Sequence, residues 1–510
     1  LQTDSRLTRL DETRVRINNP HGIETTLFAS EQVPVESVAV TELIELLDLQ
    51  TTARQFAEAA PDSFDRPPEI SRVAVTPDFH KARGIPVGTV LATRGFMVPQ
   101  AIGSDINCGM RLHTTTLKPE EVASRVDDLD TAFRRIFFEG GRDIPMTRGQ
   151  RHAMFTAGLE GMLDATADLN EGLWPLVREL GVADQLDRVE RRGSLPAGRV
   201  FGLSDFMGEE GRLSRDGQIG SIGGGNHFVE IQRVEKVFDG AVAHAWGLKP
   251  GVVTVMVHTG SVGIGHLCGS HYRDVVRKIH PDKLKHPANG VFVLPEGDRH
   301  RSHAESFWDA LHNAANFAYA NRMFLAVMAV AGMRRVFGDH VGCDLVYDAP
   351  HNFMWRDEVD GEEVILHRKG ATPARGFEAM AGTPFAYYGE PVLVPGSMGA
   401  SSFVMVGQGN AESMASASHG AGRLLSRGES MRGFDDEFRK FMEEFRVVTP
   451  TDLRRPDVRQ RPDILEKKLE EIKQEAPFAY KGIGPVVNTL ADAGIARPVA
   501  ELTPLMTIKG

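Results

Sequence analysis

"GSIGGGNHFVEIQ" (residues 220–232) sets four glycines and a serine ahead of Asn226 and His227, then alternates in character. Alternation with period two predicts a strand over 227–232. His227, Val229 and Ile231 would share one face; Asn226, Phe228, Glu230 and Gln232 would share the other, if the pattern extends back to 226. A histidine could then face a metal while Asn226 and Glu230 face a bound ligand, and the glycines would let backbone approach that ligand closely. The stretch lacks the GxxxxGK[ST] pattern of a P-loop, so an ordinary ATPase reading fails.

Working outward, short β-branched runs bounded by glycine or proline predict more strands: "GVVTVMVH" (251–258), "GEEVILHR" (361–368), "PVLVPG" (391–396) and "SSFVMVG" (401–407). Residues 120–140, 304–337 and 464–476 have helical spacing. Strands and helices mix without regular βαβ alternation, which predicts α+β: a single large mixed domain with β-sheets surrounded by helices. Length alone, 510 residues, suggests two to four domains. The distinctive motifs, however, are scattered from residue 105 to residue 509, and a site drawn from the whole chain implies one domain.

The longest apolar run, "FLAVMAVAGM" (324–333), is about half of a membrane span, so no transmembrane helix is expected. The polar, charged "LQTDSRLTRLDETRVR" at the start excludes a secretory signal in the chain as given. Three cysteines (Cys108, Cys268 and Cys343) argue against a disulfide framework and for a reducing cytoplasm. A net charge of −11 is mildly unfavourable for binding a polyanion, yet local basic clusters decide such binding. The candidates are 187–193, 272–286 and 299–303, each weighed evenly against a merely solvated face.

Several segments carry chemistry. In "GSDINCGMRLH" (103–113), Asp105 and Cys108 stand three apart, a spacing that can present carboxylate and thiolate to one ion in a turn. "VMVHTGSVGIGH" (255–266) supplies His258 and His266, and "DAPHNFMW" (348–355) supplies His351. Singly, each histidine reads as a hydrogen-bonded core residue; three at element ends beside glycine-rich loops, with an Asp/Cys pair, suffice for two metal ions if Cys108 bridges them. Thiolate and imidazole alone favour zinc. "VPGSMGASSFVMVG" (394–407) and "SASHGAGRLLSRG" (416–428) are small-residue loops able to hold phosphate. In the second, His419 is expected at a helix N-terminus with Arg423 and Arg427 on the following turns. A neutral imidazole beside arginines can attack phosphorus; the alternative is a cap with surface charges.

In combination the chain resembles the RtcB family of GTP-dependent RNA-splicing ligases over residues 73–510. The resemblance rests on "TPDFHKARGIPVG", "DINCGMRL", "GGGNHFVEIQ", "HTGSVGIGH", "HRKGAT", "PGSMG", "SHGAGR", "AYKGIGPVVNTL" and "IKG", all in the family's order. Residues 1–72 match less clearly and are expected as a divergent segment packed on the catalytic domain. The resemblance implies joining of RNA 2′,3′-cyclic phosphate or 3′-phosphate ends to 5′-hydroxyl ends, in RNA repair or tRNA splicing, through a histidine–GMP intermediate on His419. It implies metal ligands Asp105, Cys108, His227, His258 and His351, with Cys108 bridging two Mn²⁺ ions. It implies a guanylate pocket drawn from Asn226, His227, Phe228, Val229, Glu230, His351, Asn352, Pro395, Gly396, Ser397, Met398, Ser402, His419, Gly420, Ala421, Gly422, Tyr480 and Lys509. Glu230 would accept from the guanine N1–H and N2–H edge, which adenine lacks.

Two positions depart from the family pattern. Val262 stands where "HSGSRG" carries an arginine, and Pro373 stands where "GATRA" does. These departures raise a second reading, a paralogue that guanylylates and caps 3′-phosphates without efficient sealing. A third is a nucleotide- or RNA-binding protein without turnover, against which the retained nucleophile and ligand positions argue. The need for an activating partner protein is left open.

Overall fold

The computed structural model describes residues 4–510. The run Phe228–Val237 is a strand, and it lies inside an eight-stranded sheet. His227 falls just before the strand rather than in it, so the expected alternation holds from Phe228 onward. Val229 and Ile231 enter one apolar cluster, whereas Phe228 and Val234 enter another on the opposite face. Both faces of this sheet are therefore covered.

The sheet orders Cys343–Pro350, Gly109–Thr115, Val253–Thr259, Phe228–Val237, Ala496–Ile508, Ser402–Gly407 and Pro391–Val394, with Arg446–Val448 paired parallel to Ala496–Ile508. A second sheet of seven strands orders Leu7–Arg9, Arg14–Ile17, Thr25–Phe28, Glu69–His80, Val87–Arg94, Glu362–Lys369 and Asn352–Val359. The hairpin of Asn352–Val359 and Glu362–Lys369 hands the chain from one sheet to the other just after His351. Pairing is antiparallel except for Thr25–Phe28 with Glu69–His80 and the Arg446–Val448 pair, as α+β organisation requires.

Beneath the larger sheet runs the 37-residue helix Arg301–Phe337. It is buried on every side over 314–330 because strands and helices enclose it, which accounts for the apolar "FLAVMAVAGM" run. No helix of the described residues is long and apolar enough to cross a membrane. The predicted helix over 120–140 is broken at Arg125 into Pro119–Ser124 and Val126–Phe137.

Two polar residues inside the long helix fix the loops above it. Asn321 exchanges hydrogen bonds with Ser221 (3.0 and 2.9 Å) and donates to the Gly260 carbonyl at 3.1 Å. Arg322, fully buried, donates to the Asn107 carbonyl at 2.6 Å, the Asn107 Oδ1 at 2.9 Å and the Thr259 carbonyl at 3.2 Å. Its charge is balanced by Asp348, which also holds Arg111. Buried charge of this kind persists only when fully paired and hydrogen-bonded.

Candidate metal and nucleotide centre

The loops fixed by Asn321 and Arg322 carry the expected metal ligands. Asp105 and Cys108 do lie in one turn: the Cys108 amide donates to the Asp105 carbonyl at 3.1 Å, with Asn107 at φ 57°. Gly260 packs over that turn so closely that a Cβ would meet Asp105 Oδ2 at 2.6 Å and Cys108 Cα at 2.7 Å. Cys108 Sγ lies 3.3 Å from His227 Nε2 and 3.4 Å from His258 Nε2, and His258 Nε2 lies 3.3 Å from His351 Nε2. Asp105 Oδ2 approaches His227 Nε2 at 3.0 Å and has no hydrogen-bond partner. The thiol thus sits between an Asp105/His227 half and a His258/His351 half.

The electrostatics suit a cation. Burial, then the neighbouring histidines, hold His258 and His351 far below the usual imidazole range, so both are neutral imidazoles with the lone pair a metal would need. Burial and the Asp105 carboxylate push the Cys108 thiol well above its ordinary value, so thiolate at neutral pH calls for a positive ion at this point. His227 contacts the Ile222 carbonyl through Nδ1 (3.1 Å), which assigns the proton there and frees Nε2 for a metal. His266 is an exposed residue of the helix Val262–Ile279 and does not join the cluster.

His419 stands next to this cluster, its ring 4.7 Å from that of His351. It does not head a helix. After the strand Ser416–Ser418 the chain is irregular until Arg427–Ser430, because Gly422 adopts φ 78° and packs against the Asp78 carbonyl, 2.5 Å from where a Cβ would stand. Nor are Arg423 and Arg427 free for phosphate as they stand: both pair with Glu475, at 3.1 and 3.2 Å. Asp78, to which the sequence reading gave no role, contacts His419 Nδ1 through Oδ2 at 2.5 Å and is wholly buried. Burial works to raise its pKa, but the His419 charge and the His419 and Thr76 hydrogen bonds outweigh it and keep the carboxyl below its ordinary value.

One cavity of about 350 Å³ joins these groups. Asn226, His227, Phe228, His351, Asn352, Pro395, Gly396, Ser397, Met398, His419, Gly420, Ala421, Gly422, Tyr480 and Lys509 line it, together with Asp105, Cys108 and His258. Val229, Glu230 and Ser402 do not. Val229 turns into the core below; Glu230 is buried under the cavity, bound by Thr507 and Gln232; Ser402 accepts from Gln232 and the Gly396 amide. Lys509 reaches the cavity because Ile508 pairs with Val229, and its ammonium donates to the Gly225 carbonyl. His80, Lys369 and Glu475 also line the cavity and were not anticipated.

The family model described as "tRNA-splicing ligase RtcB" matches residues 64–510. The chain belongs to the RtcB family. It is 33% identical over 505 residues to the tRNA-splicing ligase RtcB of Thermococcus kodakarensis, covering 94% of this chain and 95% of that one. The tRNA-splicing ligase RtcB of Pyrobaculum aerophilum is 32% identical over 501 residues, with the same coverage. The RNA-splicing ligase RtcB of Mycobacterium bovis is 34% identical over 454 residues, 85% of this chain and 96% of that one.

Within this RtcB framework the two departing positions have distinct settings. Val262 has φ 48°, an uncommon conformation for a β-branched residue, and its amide donates to Asp105 Oδ1 at 2.9 Å. That contact orients the carboxylate whatever side chain position 262 carries. Pro373 ends the short strand Ala371–Pro373 and is buried. Arg375, a candidate to replace the missing arginines, is held instead by Glu190 and Glu390 and points into a buried ionic cluster with Tyr347.

Proposed function

We propose that this chain is a GTP-dependent ligase that joins RNA 3′-phosphate or 2′,3′-cyclic phosphate ends to 5′-hydroxyl ends through a histidine–GMP intermediate. The observation that supports it most is the placement of a carboxylate-oriented histidine, His419 on Asp78, beside the Cys108 cluster in a single cavity. Asp78 accepts the Nδ1 proton and leaves the Nε2 lone pair as the nucleophile. Nε2 bonds to the α-phosphorus of GTP while the bond to the β-phosphate oxygen breaks, releasing pyrophosphate. An RNA 3′-phosphate oxygen then takes the GMP from His419, and the 5′-hydroxyl attacks the activated phosphate, expelling GMP and forming the phosphodiester. A cyclic end is first opened by water.

Asp105, Cys108, His227, His258 and His351 would hold two divalent ions, which when bound neutralise phosphate charge. Manganese suits the Asp105 oxygen and phosphate ligands, zinc the thiolate and imidazoles. Asn226, the 395–398 loop and Lys509 would hold the nucleotide. Lys509 places a cation in the cavity, while Glu230, buried one layer behind the wall, would accept from a guanine edge once Thr507 and Gln232 release it.

Incubation with α-labelled GTP and Mn²⁺ should leave an acid-labile adduct that His419→Ala abolishes, and added RNA with 3′-phosphate and 5′-hydroxyl ends should discharge it into a joined product. Undiminished labelling of the variant would sink the assignment. Val262 and the sequestered Arg375 favour a second reading, guanylylation and capping without efficient sealing, for which label would accumulate on the RNA 3′ end.

A further inference from the structure

Of the three basic clusters in the sequence, two are partly paired with acids in the fold. Arg192 pairs with Glu160 and Asp187, and Arg301 pairs with Asp298. The third is not. Along the helix Val262–Ile279, His266, Ser270, Arg273 and Arg277 follow one another at three- and four-residue steps, a spacing that aligns them in one exposed stripe. Among the described residues Arg273 and Arg277 have no ion-pair partner, and neither does Arg83 on the facing segment.

Arg83 and Arg273 line a second cavity of about 420 Å³, with Gly269 leaving open space over the helix between them. No carboxylate lines it. Gly103, Ser104 and Lys369 belong to this cavity and to the nucleophile cavity alike, so the two are continuous. The Lys369 ammonium donates to the Ile85 carbonyl at 2.6 Å and forms no ion pair among the described residues, although the Glu42 charge acts on it from outside the groove lining. On a chain of net charge −11, an acid-free groove with three cations opening onto the reactive cavity is a local exception.

We propose that this groove carries the sugar–phosphate backbone of the RNA strand whose end is being joined, with Arg83 and Arg273 contacting phosphates a few nucleotides from the junction. The inference rests on the RNA-ligase reading and gives it a location. Because the two cavities share a wall, one molecule can occupy the groove and reach Cys108 and His419; a substrate reacting at a terminal phosphate presents further phosphates at regular steps behind it. Arg273 lies eleven residues after Val262 on the same helix, about 16 Å along its axis. It therefore cannot replace an arginine at position 262 on the reacting phosphate, but it can hold the same strand further back. Guanidinium offers bidentate contacts to phosphate oxygens without reading sequence.

The test is binding of a fluorescent single-stranded RNA about a dozen nucleotides long, across a salt series, to the full chain and to the R83A/R273A double variant. Both side chains are exposed, so the variant should fold and take GMP from labelled GTP at the wild-type rate. At about 0.1 M salt it should bind RNA about tenfold or more weakly, and the slope of log K against log salt should fall by about 1.4, about 0.7 per lost phosphate contact. An unchanged affinity and slope would overturn the proposal. So would a polyglutamate peptide that competes as well as RNA at equal salt, which would make the groove a seat for an acidic protein. If wild-type protein takes up no GMP, the RNA-ligase reading fails on its own, while the difference in salt slope still reports on the groove.

Discussion

Asp78 and His419 lie 341 residues apart and meet through a 2.5 Å contact between Oδ2 and Nδ1, with Thr76 Oγ1 on the other carboxylate oxygen at 2.5 Å. An ionised Asp78 fixes both the tautomer and the ring plane of His419, the proposed nucleophile. Asp78→Asn keeps the shape but allows the wrong tautomer, so GMP uptake should slow by about 10²–10⁴-fold with little change in thermal stability. Single-turnover labelling measures this; a wild-type rate would reduce Asp78 to a packing residue.

Cys108 Sγ lies between the two halves of the cluster, within 3.4 Å of a histidine in each. Cys108→Ala should therefore lower metal occupancy at both positions together, read by elemental analysis after dialysis, and should abolish GMP uptake. Two retained metals with full labelling would make the cysteine structural only.

Arg322 is a positioning residue for the same cluster, tying Asn107, Thr259 and Asp348 into one frame beside Cys108, His258 and His351. Arg322→Met leaves Asp348 half-paired in the core and should cost about 3–5 kcal/mol of stability. Arg322→Lys keeps the charge but cannot span the three acceptors. It should recover part of the melting temperature while still binding Co²⁺ more weakly, with an altered thiolate charge-transfer band. Recovery of both together would mean that Arg322 acts on stability alone.

Nucleotide binding should be confined to a narrow pH range. Burial pushes Glu230 up to about 7, against the hydrogen bonds from Thr507 and Gln232, and burial pushes Lys509 down to about 8, against the Glu475 and Glu230 charges. A carboxylate that accepts from guanine must be ionised, so GTP affinity should rise as pH increases through about 7. It should fall again above about 8 as Lys509 loses its proton. Titration calorimetry over this range checks both limbs, and Glu230→Gln should remove the lower one. The sign for folding is opposite: Glu230 binds its proton more tightly folded than at its ordinary 4.5, so its contribution to stability falls between about 4.5 and 7.

Substitution at position 262 should separate guanylylation from sealing. The Val262 amide, not its side chain, holds Asp105, so Val262→Arg should leave GMP uptake near the wild-type rate. A guanidinium there can contact RNA phosphate, so sealing should accelerate by about one to two decades. Rapid sealing by wild-type protein, unchanged by the substitution, would remove position 262 as the determinant.

The cluster of Asp105, Cys108, His227, His258 and His351 was legible in the sequence because each sits at the end of a strand or in a tight turn beside glycine, a local pattern. Fold class was legible for the same reason, from local periodicity and the irregular order of strands and helices. What escaped depended on distant partners. Asp78 gains its role only because the strand Glu69–His80 passes beneath the 419–422 loop. Arg375 stands two residues after Pro373, yet Glu190, remote in sequence, and Glu390 hold it away from the cavity. Glu230 and Ser402, expected at the pocket wall, lie one layer behind it, since alternation gives the face of a residue but not what packs over that face. The helix expected after His419 failed because glycines at 420 and 422 could serve either a cap or a turn, and the close approach of the Asp78 carbonyl selects the turn.

The strand Ala496–Ile508 fills the gap between Phe228–Val237 and Ser402–Gly407. During synthesis the neighbouring strands leave the ribosome first, and the 277-residue separation of Glu230 from Thr507 takes on the order of tens of seconds to translate. Until residues 496–508 emerge, Phe228–Val237 and Ser402–Gly407 each keep an unpaired edge. Residues 496–508 close the sheet and deliver Lys509 to the cavity in the same event, so a nascent chain stalled before them is both sticky and inert.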